Sequence, residues 1–549
     1  MYWLKNYRKE LLAGDIGAGV IVALMMVPQG MAYALVAGLP PVTGLYASLL
    51  PAVAYALFGS SMVQSVGPMA ITSLMVGTAI GALAPSGTAL YMVLSQQLAW
   101  MAGLVLFLCG VLRLGFLANF FSRPVMSGFT SGAAVVIAAD QLKPLLGLSS
   151  GWSIATMHVP SAVVGVVSLA LLVLARYALP PLLKTRTGWV ADILPKLTPI
   201  AVVVGATIAV SALGLDAMGV KTVGQIPVGL PMFGFSPSSE HWRSLLLPAL
   251  VIGFMVFLAG QSAAQTLAQK RNERINTNRE LLGLGAANIA SAASGGFVVT
   301  GSISRSAVNY AAGANTPMAS LFSAGLIAIA LCVPNGWLSL IPLPAMAATI
   351  VVAVVGMVDL TTLAESWRHD RSDAATLMAT TAGVLVLGVE EGVLMGVVLS
   401  FASLIWRSSN PHIAIVGRLP GTEHFRNQAR YTVETLPHVL MLRIDSDLVF
   451  NNTDGVVDRI EQELLARPDI HHLVLVLSAV NMVDTTALLA LNELNKNLRV
   501  QKRYLHLCEI KGPVMDRLKR SKLLGKDLTG QVFLSAALAY ERLADEARA

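Results

Sequence analysis

The sequence contains few charged residues for its length. Of 549 residues, 38 are Lys or Arg and 31 are Asp or Glu, so charged residues make up 13%, about half of the roughly 25% that is usual in globular proteins. Hydrophobic residues make up 55%, and the mean hydropathy is +0.67. A soluble enzyme of this size needs a charged surface. The composition therefore argues against a soluble enzyme, and equally against a disordered or collagen-like chain.

Cysteine is scarce as well. The three cysteines, Cys109, Cys332 and Cys508, have neither the spacing of a metal site nor that of a disulfide framework. The net charge of +7 is modest and forms no basic stripe, which argues against a nucleic-acid partner. We therefore expect no metal, no other cofactor and no nucleic acid.

The charges that are present divide the chain. Residues 1–410 contain 34 charged side chains, whereas the much shorter segment 411–549 contains 35. This difference indicates a first part that lies in lipid and a second part that lies in water. We predict a cytoplasmic N-terminus at 1–14, a transmembrane domain at 15–408 and a cytoplasmic domain at 411–549.

The longest run without charge separates Asp15 from Arg113 and contains 97 residues. A helix that crosses a bilayer needs about 20 apolar residues, so this run has room for four. Further apolar segments bring the total to fourteen, and several of them are too short to cross alone. The predicted segments are 15–37, 42–58, 67–83, 89–112, 125–141, 161–179, 197–213, 245–269, 280–293, 303–313, 317–333, 344–357, 373–388 and 391–406.

Basic residues orient these segments. With the N-terminus in the cytoplasm, sixteen of the twenty Lys and Arg residues within 1–410 fall on the cytoplasmic side, as the positive-inside rule requires. Lys143, Lys221 and Arg243 fall outside, and Arg305 falls at membrane depth. We therefore predict a multi-pass protein of the cytoplasmic (plasma or inner) membrane with both termini in the cytoplasm.

Two short segments resemble each other. Residues 63–73 (VQSVGPMAITS) and 298–306 (VVTGSISRS) each contain residues that favour extended structure, then a break at Gly, then a short helical run. They belong to the third and tenth segments, and this odd offset inverts the second half of the membrane domain relative to the first. Broken helices at matching positions of inverted repeats indicate a transporter's substrate site, where free N–H groups suit an anion. Ordinary Gly or Pro kinks are the alternative.

Arg305 follows the second break directly. A charge at bilayer depth is rare and usually functional. The neighbouring Ser302 and Ser304 add neutral hydroxyl donors, as an anion site needs. The alternative is that Arg305 extends from a helix end to water.

A longer motif occupies residues 28–48 (PQGMAYALVAGLPPVTGLYAS). It resembles the signature of the sulfate permease (SulP) family, the relatives of solute carrier family 26. The resemblance continues through 55–61 and 67–68, returns at 278–290, 302–305 and 388–392, and extends into the C-terminal domain.

This resemblance implies two inverted repeats of seven segments, arranged as a core domain and a gate domain, followed by a cytoplasmic α/β domain of the STAS type. It implies transport of a small anion (sulfate, bicarbonate, chloride or a dicarboxylate) by an elevator-like shift of the core, in a homodimer surrounded by lipid. The positions that match the family's site are Gln29, Tyr33, Gly67, Pro68, Met69, Ala70, Ser302, Ile303, Ser304 and Arg305.

Gln29 and Tyr33 are four residues apart and therefore share a helical face. Hydrogen-bonded packing between helices is the alternative for this pair. The eighth segment lacks the acid that cation-coupled relatives carry, because Ala259 and Gln261 occupy the corresponding positions. Gln261 and Gln265 either line the site or join helices. Asp140 is the one acid in an apolar span, and we expect it to pair with Lys143 near the helix end.

The C-terminal domain alternates strand and helix. Strands are predicted at 438–450, 471–477 and 504–509, and helices begin at Thr453, Asp484 and Gly512. This order predicts an α/β domain and resembles STAS domains, including the anti-sigma factor antagonists that are phosphorylated at a Ser. Thr486 matches that position, but Ala487 replaces the following Gly, and helix capping explains this turn better. A cytoplasmic partner of this domain is expected, but the sequence does not specify it.

Three functions compete at this point. An anion transporter or exchanger, with sulfate first, explains the paired broken segments best. A membrane regulator that senses an anion and acts through the STAS domain is the second possibility. A membrane enzyme is the least supported, because no acid/base pair or metal cluster occurs within the spans.

Overall fold

The structure, a computed structural model, describes residues 2–5, 7–116, 123–148, 157–183, 189–225, 227–231, 234, 241–333, 336–521 and 523–546. Lys184 and Arg186, two of the basic residues assigned to the cytoplasmic side, lie outside the described residues. The chain divides into two compact units, Met1–Ser400 and Phe401–Ala549.

The first unit is almost entirely helical, as its apolar composition predicts. Two short strands interrupt the helices at the predicted breaks: β1 (Val66–Gly67) and β2 (Thr300–Gly301). The helices, up to the one that crosses the boundary between the units, are α1 (Tyr2–Lys5), α2 (Leu12–Val36), α3 (Pro41–Tyr46), α4 (Leu50–Phe58), α5 (Ala70–Gly81), α6 (Ala89–Val111), α7 (Arg123–Leu146), α8 (Val159–Leu183), α9 (Trp189–Ala212), α10 (Trp242–Arg271), α11 (Thr277–Ala293), α12 (Ile303–Ala311), α13 (Met318–Cys332), α14 (Gly336–Ser339), α15 (Leu343–Val355), α16 (Leu360–His369), α17 (Arg371–Val386) and α18 (Val389–Ser409).

Each of the fourteen predicted segments overlaps a helix. Within the described residues, eight helical stretches are long and apolar enough to cross a membrane, and three shorter apolar helices accompany them. The second predicted segment consists of two helices, α3 and α4. Helix α16, which was not predicted, lies between the predicted segments 344–357 and 373–388. The number of segments that cross the bilayer stays a prediction.

The helices of the first unit pack as two sets. Helices α2 to α6 pack with α10 to α13, whereas α7, α8 and α9 pack with α15, α16 and α17. This grouping agrees with the predicted division into core and gate. Both broken helices belong to the first set, and α5 is buried on nearly every side because it is apolar all round.

The second unit contains a six-stranded sheet in the order β4-β3-β5-β6-β7-β8. Strands β5 to β8 are parallel, whereas β3 is antiparallel to both of its neighbours. Apolar side chains of α19, α20 and α21 cover one face, and those of α22 cover the other. The elements are β3 (Ile413–Arg418), β4 (Phe425–Asn427), β5 (Val439–Ile444), α19 (Thr453–Leu465), β6 (His472–Val476), α20 (Thr485–Val500), β7 (Tyr504–Cys508), α21 (Gly512–Arg520), β8 (Val532–Phe533) and α22 (Ala536–Glu546).

The predicted α/β domain is confirmed, with two corrections. The strand predicted at 438–450 ends at Ile444, because the next residue, Asp445, binds side chains and Asp447 accepts hydrogen bonds from the backbone of residues 481 and 482. Strands β3, β4 and β8 were not predicted, since strands of two to six residues give little periodicity. Asp484 caps α20 by accepting a hydrogen bond from the Ala487 N–H at 2.9 Å, as expected.

Candidate anion site

The two broken helices meet in a two-residue antiparallel pair. Val66 lies opposite Gly301, and Gly67 lies opposite Thr300. The Ser302 N–H extends the pairing by donating to the Ser65 carbonyl at 3.2 Å. Since α5 begins shortly after β1 and α12 shortly after β2, the N-terminal ends of both helices lie at this pair.

Both helix N-termini have backbone donors without a partner in their own helix. The first intrahelical donor of α5 is Ser73, whose N–H bonds the Met69 carbonyl, and no side chain caps this helix. In α12 the Ser302 hydroxyl accepts from the Arg305 N–H at 3.4 Å, which leaves the N–H groups of Ile303 and Ser304. Free N–H groups and the positive ends of two helix dipoles favour an anion between the helices.

Arg305 lies at the centre of this arrangement. Its side chain is among the largest that are fully buried, with 1% exposure. Nη1 donates to the Pro68 carbonyl at 2.8 Å, and Nε donates to the Ser65 hydroxyl at 3.3 Å. Nη2 is buried and has no hydrogen-bond partner.

No carboxylate of the described residues forms an ion pair with Arg305. The titratable group that interacts with it electrostatically is the Tyr33 phenol. A buried charge without a counter-charge is strongly unfavourable. A negatively charged ligand would offset this charge, and Nη2, which has no partner among the described residues, could donate to it.

The first predicted pair also faces this region. The Tyr33 phenol lies within electrostatic reach of Arg305, and Met26, on the same helical face, contacts the backbone at Gly67. Gln29 lies between them on α2 and is half-buried. Among the described residues, neither the Gln29 amide nor the Tyr33 hydroxyl has a hydrogen-bond partner, so both are free to bind a ligand.

Gly67 is required by close packing. A Cβ at this position would lie 2.7 Å from Met26 Cε and 3.2 Å from Arg305 Nη2. Ala70 and Pro68 are buried, whereas Met69 is half-buried. Ile303 and Ser304 are exposed, and the Ser304 hydroxyl lies 3.4 Å from that of Ser302.

Several side chains that hold the site were not predicted. The Ser306 hydroxyl accepts from the Ser65 N–H at 2.9 Å, and Asn309 donates to the carbonyl of residue 63 at 2.9 Å. Gln64 donates to the Gly260 carbonyl at 3.1 Å and lies so close to Gly301 that a Cβ there would overlap it. Gln64, Ser65 and Ser306 fall inside the two similar segments, so their polarity in an apolar region was a usable signal.

The glutamines of the eighth segment lie elsewhere. Gln261 is buried and donates to the Thr277 hydroxyl at 3.2 Å, at the start of α11. Gln265 is exposed. No described hydrogen bond joins either of them to Arg305, so their placement at the site stays a prediction.

Comparison with known proteins identifies the family of the chain. A family model described as "Sulfate permease family" matches residues 12–380, which is more than half of the chain, and a model described as "STAS domain" matches residues 430–539. The chain belongs to the sulfate permease family. Both broken helices and all ten predicted site positions lie within the matched region.

Full-length relatives support the assignment. The chain is 34% identical to "Probable sulfate transporter MT1781" of Mycobacterium tuberculosis (strain CDC 1551 / Oshkosh), over 98% of this chain and 96% of the relative. It is 35% identical to "Sulfate transporter 4.1, chloroplastic" of Arabidopsis thaliana, over 96% of this chain and 80% of the relative. The fold of the chain matches the solved structure of SLC26A9 with a TM-score of 0.88 at 23% identity, over 100% of this chain and 93% of the other.

Proposed function

We propose that this sulfate permease is a secondary transporter of small inorganic anions and that sulfate is its substrate. The observation that carries the proposal is the buried Arg305 guanidinium, which has no carboxylate partner, has an unpartnered Nη2 and lies between two helix N-termini. This arrangement offers a dianion both full positive charge and backbone donors.

The choice of sulfate rests on similarity. Two relatives at 34% and 35% identity carry names that describe them as sulfate transporters. The donors at the site also suit bicarbonate, chloride or a dicarboxylate, which are the alternative substrates. An enzymatic role is not proposed, because the ligand-facing groups are donors and include no acid/base pair.

We infer an elevator-type mechanism from the helix packing. The elements that carry the site, α2, α5 and α12, belong to one set of helices, and α7 to α9 with α15 to α17 form the other. A movement of the first set against the second would carry the intact site across the membrane. This grouping and the membership of the family support the mechanism.

The cellular arrangement is proposed as follows. The transmembrane domain extends over 15–408 and the STAS domain over 411–549, with both termini in the cytoplasm. The protein is a homodimer in the cytoplasmic membrane and is surrounded by lipid. The positive-inside distribution of Lys and Arg supports the orientation.

Flux into proteoliposomes tests the proposal. Purified full-length protein should take up radiolabelled sulfate with saturation, and unlabelled bicarbonate, chloride and succinate should compete less strongly. Arg305→Ala should abolish or strongly reduce both uptake and sulfate binding. Arg274→Ala is the matched control, because Arg274 is an exposed arginine outside the site, and its uptake should equal that of the wild type.

Two outcomes would contradict the proposal. A folded Arg305→Ala protein with unchanged sulfate affinity would show that the anion binds elsewhere. Uptake of a competing anion with no sulfate uptake would replace sulfate as the substrate while leaving the site in place.

A further inference from the structure

The C-terminal unit contains a cavity of about 300 Å³ with an unusual charge balance. Three arginines, one histidine, one tyrosine and one asparagine line it, and they share a single carboxylate. None of these residues belongs to the site around Arg305. The cavity size is at the lower end of the range for small-molecule sites, roughly 300–1,000 Å³.

Three strands and a turn assemble the cavity. Arg443 lies at the end of β5, where it is paired in register with residue 414 of β3. Arg426 lies in β4, and Asn427 ends that strand. The Asn427 carbonyl accepts from the N–H groups of Arg430 and Tyr431 at 3.0 and 3.1 Å, so this turn returns both side chains to the cavity.

The single carboxylate is already occupied. Asp445 accepts from Arg443 Nε at 2.5 Å and from Arg443 Nη2 at 3.1 Å, and its other contact is His412 Nδ1 at 2.8 Å. Partial burial acts to raise the pKa of Asp445, but the hydrogen bonds from Arg443 and His412 outweigh it and hold that pKa below its ordinary value. Asp445 therefore stays ionised and fixes the Arg443 fork in place.

The other two arginines have no acidic partner. Arg426 donates only to the carbonyl of its neighbour Phe425 at 3.3 Å, and the Arg430 side chain has no partner among the described residues. Glu509 lies within electrostatic reach of Arg443 but outside the cavity wall. Against Asp445 and Glu509, the three arginines leave an excess of positive charge.

We propose that this cavity is a second anion site, which binds a phosphate group carried by a larger molecule. Guanidinium groups match phosphate oxygens in pairs. Those of Arg426 and Arg430 line the cavity with no acidic partner among the described residues, beside the Arg443 group that Asp445 holds. The cavity has room beyond one tetrahedral anion, since about 10–15 Å³ of such volume already holds a water molecule and the cavity has about 300 Å³. The exposed Tyr431 ring offers a surface and a hydroxyl to the remainder of the ligand.

Two sources of the phosphate group fit the cavity. One is a soluble phosphate monoester. The other is the headgroup of an acidic lipid, because His412 follows the end of α18 at Ser409 by three residues, at most about 11 Å of extended chain. The same arginines would bind either one.

Hydrogen–deuterium exchange of the full-length protein in nanodiscs tests this proposal and separates the two sources. One arm uses phosphatidylcholine discs with millimolar inorganic phosphate, and a second uses discs that contain phosphatidic acid without free phosphate. Peptides that cover 424–431 and 439–446 should become protected in at least one arm. Protection by free phosphate identifies a soluble ligand, and protection by phosphatidic acid alone identifies the lipid.

The double variant Arg426→Gln/Arg430→Gln should require about tenfold more phosphate or phosphatidic acid for the same protection. Arg520→Gln, an exposed arginine at the end of α21, should behave as the wild type. Unchanged exchange in α20 confirms that the variants are folded. Absence of protection in both arms, or full protection in the double variant, would overturn the proposal.

Discussion

Arg305 Nη1 donates to the carbonyl oxygen of Pro68 at 2.8 Å, although 237 positions separate the two residues. Pro68 lies two residues before the start of α5 at Ala70, and Arg305 lies in the first turn of α12. One hydrogen bond therefore fixes the positive side chain of one broken helix at the start of the other. An anion that binds between the helices contacts both at once.

Arg305→Lys should weaken sulfate binding while leaving the positive charge in place. A lysine ammonium cannot donate to Pro68 and Ser65 and also present a second planar donor to the ligand. We expect sulfate affinity about tenfold lower than in the wild type and higher than in Arg305→Ala. Equilibrium binding of radiolabelled sulfate to purified protein measures the three affinities. Equal affinity of the Lys variant and the wild type would contradict the prediction.

Gly67→Ala should impair the site through crowding. The new methyl group would lie 2.7 Å from Met26 Cε and 3.2 Å from Arg305 Nη2, so the end of Met26 must shift and the guanidinium must give by a few tenths of an ångström. We expect a cost of about 1–3 kcal/mol, expressed as weaker sulfate binding. Gly81→Ala, at the end of the following helix α5, is the control, since a Cβ there has no neighbour within 4 Å. The test compares the sulfate affinities of the two variants. Equal affinities would show that crowding does not explain why residue 67 is a glycine.

Sulfate transport should be electrogenic or balanced by exchange for another anion. Gln29, Ala259, Gln261 and Gln265 carry no charge, and no described carboxylate pairs with Arg305. Without a carboxylate at the site, no cation accompanies the dianion. In proteoliposomes with a potassium diffusion potential, a positive interior should drive sulfate uptake in the absence of pH and sodium gradients.

Transport coupled to a proton or sodium gradient would contradict this prediction and would point to an ionisable group. If a pH or sodium gradient at zero voltage drives sulfate accumulation, an ionisable group must carry the coupling. Asp140 lines a cavity beside the ends of α2 and α5 and is the first position to replace. Loss of gradient-driven uptake in Asp140→Asn would assign the coupling to it.

The stability of the C-terminal sheet should fall in mild acid because of His506. Burial and then the nearby His472 lower the pKa of His506 to about 4, from an ordinary 6.5. Its Nδ1 accepts from the Gln531 N–H at 3.0 Å, a bond that protonation removes. Between pH 6.5 and about 4 the unfolded chain binds more protons than the folded one, so stability is full above pH 6.5 and declines below it.

The loss should approach the order of 3 kcal/mol near pH 4. Hydrogen exchange of the β7 amides, corrected for intrinsic rates, measures it in the full-length protein. His506→Asn keeps an acceptor near Gln531 but cannot be protonated, and it should flatten the pH dependence. An equally steep dependence in that variant would assign the effect to other groups, of which His472, with a pKa also lowered mainly by burial, is the first.

Much of the membrane unit was predictable because lipid imposes a local rule. Charges are excluded over lengths of about 20 residues, so the 97-residue run between Asp15 and Arg113 marks helices without knowledge of their packing. The breaks at Gly67 and Gly301 were visible for the same reason, since each interrupts an apolar segment with Gly and polar residues. Their pairing as β1 and β2 was not visible, because two residues carry no periodicity.

The glutamines show where a local pattern is insufficient. Gln29, Gln64 and Gln261 all lie in apolar surroundings, and sequence spacing cannot tell which one faces a ligand. In the structure Gln64 supports β2, Gln261 bonds Thr277 and Gln29 keeps its amide free. The rotation of a helix against its neighbours makes this difference.

The sequence by itself determined which part of the chain lies in lipid and which in water, the family, the positions of the broken helices and the identity of the buried cation. These features depend on composition and on residues close together along the chain. Only the tertiary structure decided that Arg305 contacts Pro68 and Ser65, that no acid of the described residues pairs with it, and that Arg426, Arg430 and Arg443 line one cavity. Each of these facts depends on contacts between distant segments, and such contacts follow from the packing of the whole unit.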